Sequence, residues 1–230
     1  MCAVIGVVLK QPTAENYDLI RRIFQETRIR GMHATGISWV KNNTVHTIKE
    51  PVDALTFVDK HFNSFDQYIN EDGNLYMVGH CRYSTSDLDY NQPISSDKIS
   101  IVHNGVVSQE LPENWESIYG FTCETKNDTE LLLKTVEENK EPLQIWYDAS
   151  MSVCQLHSDK TFKYYRNGKR PLFSHKMDNG IIVASTKNIF FRAGVEKTID
   201  SVMNIVYNVF NNDQIEQRVE TNNEDLQYAL

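Results

Sequence analysis

Cys2 stands directly behind the initiator methionine, and cysteine is small enough for that methionine to be removed during processing. The thiol would then share a residue with a free α-amine. The reference pKa of that amine is about 7.7–8.0, so roughly a tenth to a fifth of it is an unprotonated base at pH 7. An intrinsically strong nucleophile and a group able to take its proton would sit together. The plainer role for Cys2 is a small buried hydrophobe at the head of a strand.

Three further places offer chemistry. In IVHNGVVS, Asn104-Gly105 lies between apolar runs and reads first of all as a hairpin turn. A tight turn at a strand end could also aim the Gly105 N–H and the Asn104 side-chain NH₂ at one point, giving the two donors of an oxyanion hole. Arg82, in GHCRYST, comes near the end of an expected buried strand, where a guanidinium needs a partner. A structural salt bridge would serve, and so would a ligand carboxylate held in a bidentate clamp. Asp128 precedes an expected helix; it could cap that helix or bind an ammonium group. His80, Cys81, His103 and Cys123 could supply nitrogen and sulfur ligands, but their spacing matches no common zinc pattern, and no metal or cofactor is expected.

The elements that must position these groups can be read from hydrophobic periodicity. Residues 2–9 form a nearly unbroken, β-branched apolar run and read as a buried strand at the N-terminus. A helix is expected from about Thr13 to Arg30, with Tyr17, Ile20, Ile23, Phe24 and Thr27 on one face and Gly31 as its stop. Residues 35–41 and 44–49 read as a hairpin around Asn42-Asn43, and residues 52–70 as helical. Strands are expected at 74–83 and 99–108, separated by a polar loop containing Asn91-Gln92-Pro93. A helix over about 128–139 would be opened by Asn127 or Asp128. Strands then recur at 151–157, 160–166, 171–176 and 180–185, followed by a short helix at 187–192 and a hairpin within 201–219. Phe162, Tyr164 and Phe173 fit sheet packing. No repeat or low-complexity linker divides the chain, so one α+β domain over residues 1–230 is expected, with sheets packed between helix layers.

Composition narrows the classes of function. A formal charge of −8 speaks against a general nucleic-acid binder, which needs clustered Lys and Arg. No apolar run approaches the roughly 18 residues of a membrane span, and the start lacks the marks of a secretory signal. Four scattered cysteines without CxxC spacing fit reduced thiols and a cytoplasmic location. The sequons at Asn42 and Asn127 are discounted on the same ground.

Taken together, the motifs resemble the glutaminase domain of class II glutamine amidotransferases, a branch of the N-terminal-nucleophile hydrolases. Cys2-Ala3-Val4-Ile5-Gly6 resembles the family's N-terminal Cys-Gly-Ile-x-Gly, and Arg30–Ile37 its Arg-Gly-x-Asp-Ser/Ala-Ala-Gly-Ile. Gly79–Thr85 follows Gly-His-x-Arg-Tyr/Trp-Ser/Ala-Thr almost residue for residue. Asn91-Gln92-Pro93, His103-Asn104-Gly105 and Asn127-Asp128-Thr129-Glu130 come next in the family's order. Gly168–Leu172 and Ala184-Ser185-Thr186 are similar to its last two landmarks.

The resemblance implies a four-layer αββα sandwich and a role for each residue. Cys2 would attack the glutamine side-chain amide, with its own α-amine as base and then acid. Asn104 and Gly105 would hold the oxyanion. Arg82 would bind the substrate α-carboxylate and Asp128 its α-ammonium. Tyr83 and Thr85 would help fix the same end, and Arg30 would order the surroundings of the nucleophile. Ala3, His33 and Ser86-Asp87 depart from the family pattern, the last where a lid over the glutamine site would lie. The chain ends at residue 230 without a synthetase domain, so the ammonia acceptor is expected on a separate subunit. Two alternatives remain at this point: another N-terminal-nucleophile amidohydrolase without an acceptor, and a catalytically silent glutamine-sensing module that keeps Met1.

Overall fold

The computed structural model describes residues 1–84, 89–210 and 213–219. Along the chain the first strands are β1 (Ala3–Leu9), β2 (Ala34–Lys41), β3 (Thr44–Glu50), β4 (Leu75–Arg82), β5 (Ile94–Ser95) and β6 (Ile99–Val106). They are followed by β7 (Ser150–His157), β8 (Phe162–Arg166), β9 (Phe173–Met177), β10 (Gly180–Ala184), β11 (Ile199–Asp200), β12 (Ile205–Phe210) and β13 (Asp213–Arg218). The α-helices are α1 (Ala14–Glu26), α2 (Ala54–His61), α3 (Trp115–Tyr119), α4 (Thr129–Glu137), α5 (Pro142–Ile145) and α6 (Lys187–Arg192).

The strands form two antiparallel sheets. One has the order β11-β9-β10-β1-β4-β2-β3, the other β13-β12-β8-β7-β6-β5. Strand β1 is the middle of the first sheet and is buried at every position. Its two faces meet different partners, which is why the run shows no polar alternation. Ala3, Ile5, Val7 and Leu9 join a core with Ile20, Ile23 and Phe24 of α1, Phe57 of α2 and Phe190 of α6. Val4 and Val8 face the second sheet and pack with Val102, Cys154, Leu156 and Phe162. Gly6 shares that face: a Cβ there would run into the Phe162 ring and lie 3.2 Å from the Cys154 sulfur. The far face of the second sheet carries Ile101, Met151 and Val153 against Leu131 and Leu132 of α4, Trp115 and Leu143. Each large apolar side chain so buried contributes about 1.5–3 kcal/mol. Three apolar interfaces between four layers make the αββα sandwich that the resemblance implied.

The expected β2–β3 hairpin forms around Asn42 and Asn43, both at φ 53°, the positive values a two-residue turn needs. Helix α1 is opened by a capping box between Thr13 and Asn16. It is shorter than its periodicity suggests. The chain tightens into a 3-10 turn over Thr27–Ile29, where the Thr27 hydroxyl is placed against Phe24 O and the Cys81 sulfur. Of the helix expected over 52–70, only α2 and a 3-10 turn at Asp66–Tyr68 form. Phe62 and Phe65 there are core residues in irregular backbone and Tyr68 one in the 3-10 turn, which breaks the α-helical period.

Asn104-Gly105 is not a turn. Both residues lie inside β6, opposite Ser152 and Met151 of β7. Tertiary pairing has overridden the local turn preference. The short elements β5, β11, α3 and α5 carry too few periodic residues to show in the sequence pattern.

Candidate active site

A cleft of about 360 Å³ opens where the starts of β1 and α4 meet the ends of β4 and β6, lined by Cys2, Arg82, Gln92, His103, Gly105 and Asp128 among others. Residues up to 126 positions apart in sequence share one hollow here. Antiparallel pairing of β1 with β4 brings Cys2 to it, because Ala3 sits opposite Cys81 and Cys2 therefore lies beside Arg82.

Cys2 is partly exposed, and its thiol points toward the Tyr83 carbonyl oxygen at 4.0 Å. The Arg30 Nε–H donates to the Cys2 carbonyl at 2.8 Å, and its Nη2 lies 3.7 Å from the Met1 sulfur. Burial lowers the Arg30 pKa; the nearby Cys2 raises it and Arg170 lowers it further. Arg30 thus anchors the main chain of the nucleophile's residue and does not line the cleft. Tyr83 is half exposed, stands outside the lining, and rests its ring on His33, centroid to centroid 4.9 Å. The His33 Nδ1 accepts the Ser84 N–H at 2.9 Å, so the histidine that departs from the family pattern pins the backbone just after Tyr83. Thr85 and the Ser86-Asp87 departure lie outside the described residues.

Arg82 lines the cleft, its Nη1 donating to the Tyr90 carbonyl at 3.0 Å and to the Asn91 Oδ1 at 2.8 Å. Asn127 reinforces the same loop by donating from Nδ2 to the Tyr90 carbonyl at 2.8 Å. The Asn127 Oδ1 accepts the Thr129 N–H at 3.1 Å, so the polar contact at the start of α4 belongs to Asn127. Asp128 makes no capping bond; its Oδ2 accepts the Val107 N–H at 2.6 Å. Its other oxygen lies 4.0 Å from the His103 Nδ1. That distance meets an ion-pair criterion, yet burial holds the His103 pKa below its ordinary value against the pull of Asp128. We read a neutral imidazole beside a carboxylate.

Gly105 lines the cleft at φ 149°. A Cβ there would collide with the Ser150 carbonyl and lie 2.9 Å from the His103 Nε2, so only glycine fits. Asn104 is 4% exposed and lies outside the lining, with an Nδ2 that has no partner among the described residues. A buried amide donor left open is costly, and the position alternates with Gly105 across the strand.

The motif reading missed three residues that hold this arrangement. Gln92 was visible only as a landmark, His103 as a landmark and a discounted metal-ligand candidate, and Tyr90 carried no signal at all. Their role depends on which backbone groups lie within reach, which spacing does not show. Among the described residues, His, Cys, Asp and Glu form no group of three or more that could hold a metal. No described helix is long and apolar enough to cross a membrane.

Comparison with known proteins bears on this geometry. A family model described as a glutamine amidotransferase domain matches residues 63–228. The chain belongs to that family. The matched stretch holds Arg82, Asn104, Gly105 and Asp128 and begins after Cys2. Among curated relatives, the glutamine–fructose-6-phosphate aminotransferase of Bacillus licheniformis is 23% identical over 204 residues, 80% of this chain and 32% of that one. This amidotransferase domain therefore spans about a third of the length of the curated relatives it matches. Among solved structures, glutamine phosphoribosylpyrophosphate amidotransferase from B. subtilis superposes with a TM-score of 0.68 at 16% identity, covering 94% of this chain and 49% of that one. A glutamine aminotransferase class-II domain protein from Silicibacter pomeroyi gives 0.54 at 9% identity, covering 95% and 99%. These likenesses show that the chain shares its fold with those amidotransferases.

Proposed function

We propose that this domain hydrolyses the side-chain amide of glutamine through Cys2 and delivers the ammonia to an acceptor on a separate subunit. The observation that carries the reading is one cleft holding a thiol, a guanidinium, a carboxylate and an unhindered glycine backbone, from Cys2, Arg82, Asp128 and Gly105. A zwitterionic amino acid needs one cation and one anion at its α-carbon end, and Arg82 and Asp128 supply them. The third requirement, donors for a developing oxyanion, falls to Gly105 N–H and to the unpartnered Asn104 Nδ2.

Met1 is 68% exposed, so a processing enzyme can reach it. After its removal the Cys2 α-amine takes the thiol proton, and the thiolate attacks the amide carbon. The tetrahedral oxyanion collapses as the α-ammonium protonates the leaving nitrogen; ammonia departs and a glutamyl thioester remains. Water, activated by the same amine, then cleaves the thioester to glutamate and restores the thiol. Arg30 holds the Cys2 carbonyl through both halves, and Tyr83 offers its carbonyl to the resting thiol. Thr85 would join the substrate-binding set from the neighbouring segment. No metal or cofactor enters the scheme.

The net charge and reduced thiols fit a cytoplasmic domain that binds neither nucleic acid nor membrane.

The test pairs intact mass with glutamate release, with Cys2→Ala as control. Loss of Met1 together with activity that disappears in the control supports the reading. Retained Met1, with glutamine bound and never hydrolysed, overturns it in favour of a sensor, because an acylated Cys2 nitrogen has no basic lone pair.

A further inference from the structure

Strand β6 loses its neighbour early. β5 pairs with it only at Ser100 and Ile101, and beyond that point no strand among the described residues lies beside the buried edge of β6. An uncovered buried edge leaves peptide groups unsatisfied, which is costly. At His103 a side chain takes the place of the strand. The Gln92 Oε1 accepts the His103 N–H at 2.6 Å, and the Gln92 Nε2 donates to the His103 carbonyl at 3.1 Å. Gln92 is buried and also lines the cleft.

The pairing pattern shows what this clamp controls. His103 lies opposite Val153, and Gly105 opposite Met151. The Met151 N–H donates to the Asn167 Oδ1 and its carbonyl accepts the Asn167 N–H, so both point away from β6. In an antiparallel ladder, alternate pairs exchange no hydrogen bonds, and Gly105–Met151 is one of these. His103, two residues earlier, shares that phase. Both residues therefore turn their N–H groups to the edge that Gln92 covers. Gln92 occupies the N–H of His103, and the N–H of Gly105 is left for the cleft.

We propose that Gln92 is a positioning residue for the reaction. Its carboxamide replaces a strand at His103 and so sets where the Gly105 N–H points. This rests on the glutaminase reading above. Gln92 keeps a second N–H and a second lone pair, so direct contact with substrate is the competing role.

Gln92→Glu separates the two roles. Ionised, the new carboxylate still accepts the His103 N–H but repels its carbonyl. Protonated, it donates to that carbonyl and restores both bonds. At pH 7.5 we expect kcat to fall about 10- to 100-fold with KM within about twofold, somewhat less than the loss of a whole oxyanion donor. The ratio of variant to wild-type kcat rises as pH falls toward 5. Gln92→Met loses kcat similarly, at a ratio independent of pH. A raised KM with unchanged kcat, or a flat ratio for Gln92→Glu, overturns the proposal.

Amide exchange supplies a readout that needs no turnover. The His103 N–H is strongly protected in the wild type and exposed in Gln92→Met, while amides of β1 keep their protection. Unaltered His103 protection rules the clamp out. A wild type that does not hydrolyse glutamine counts against the glutaminase reading, and the exchange result still decides the clamp.

Discussion

The Asp128 carboxylate stands at the threshold of α4, yet it bonds the backbone of Val107, two residues past Gly105, at 2.6 Å. One side chain thus ties the start of a helix to the end of the strand that carries Gly105, while the same residue faces the cleft. Glu130 does comparable work nearby, accepting from the Glu124 and Thr125 N–H groups and the Thr125 hydroxyl. These carboxylates organise loops at the mouth of the site.

Asp128 is therefore expected to respond differently to two substitutions. Asp128→Asn keeps an oxygen for the Val107 N–H but loses the charge proposed above to face the substrate ammonium. Its KM for glutamine should rise about 10- to 100-fold, the worth of a hydrogen bond to a charged group. Asp128→Ala also orphans the Val107 N–H and should lower the unfolding free energy by a further 1–3 kcal/mol or so. Steady-state kinetics and urea denaturation of both variants check this. Equal stability of the two would contradict the structural half.

Gly105→Ala should be among the most damaging single-methyl substitutions in the protein. The added carbon meets the Ser150 carbonyl, and the φ of 149° is closed to other residues. A loss of about 3 kcal/mol or more in stability is expected, with activity lost as well. Denaturant unfolding decides it; a variant as stable as the wild type would mean that the β6–β7 pairing is misdescribed.

The four thiols should separate cleanly in reactivity. Burial pushes the Cys81 pKa up to about 12, against the hydrogen bonds from Thr27 and Thr35. Cys154 is raised further by burial alone, and Cys123, partly buried near Glu130, stands at about 11. Thiolate is the reacting form, so at pH 8 iodoacetamide should modify Cys2 first, Cys123 slowly, and Cys81 and Cys154 only after unfolding. Peptide mapping of the labelled native protein gives the order. Early labelling of Cys81 would be incompatible with its position between β1 and β2.

Acid should weaken the fold before its carboxylates titrate. His80 is buried, and desolvation, with His103 and Arg82 nearby, depresses its pKa from 6.5 to about 3. The unfolded chain binds a proton there below pH 6.5 and the folded chain does not. Stability is thus fully present above about pH 6.5 and is lost as pH falls toward 3. Each such histidine contributes about 1.4 kcal/mol per pH unit in that window. His103 is depressed in the same direction by burial. Urea midpoints measured from pH 7 to 4.5 should decline, and His80→Gln should flatten the slope by about one histidine's share. An unchanged slope would mean that His80 ionises in the folded protein.

Much of the scaffold was legible in advance because its signals are local. The β1 run, the helix starting near Thr13, the Asn42-Asn43 turn and the late strands each depend on a few adjacent residues. The errors arose where burial replaced periodicity. Phe62, Phe65 and Tyr68 looked helical but form an aromatic cluster outside any α-helix, with Phe62 and Phe65 each edge to face with Tyr68. Asn104-Gly105 looked like a turn because that dipeptide favours one, and pairing with β7 outweighed the preference.

Residue types and order determined which chemistry this protein could carry: a thiol at position 2, one guanidinium and one carboxylate of the right kinds, and a glycine where the backbone must come close. These are properties of side chains and survive any fold. Direction was decided only by tertiary structure. That Arg30 holds the Cys2 carbonyl, that Asp128 reaches Val107, and that Gln92 stands in for a strand at His103 are facts about groups 11 to 28 positions apart brought within hydrogen-bond distance. A hydrogen bond depends on ångström separations and angles, and a linear spacing contains neither.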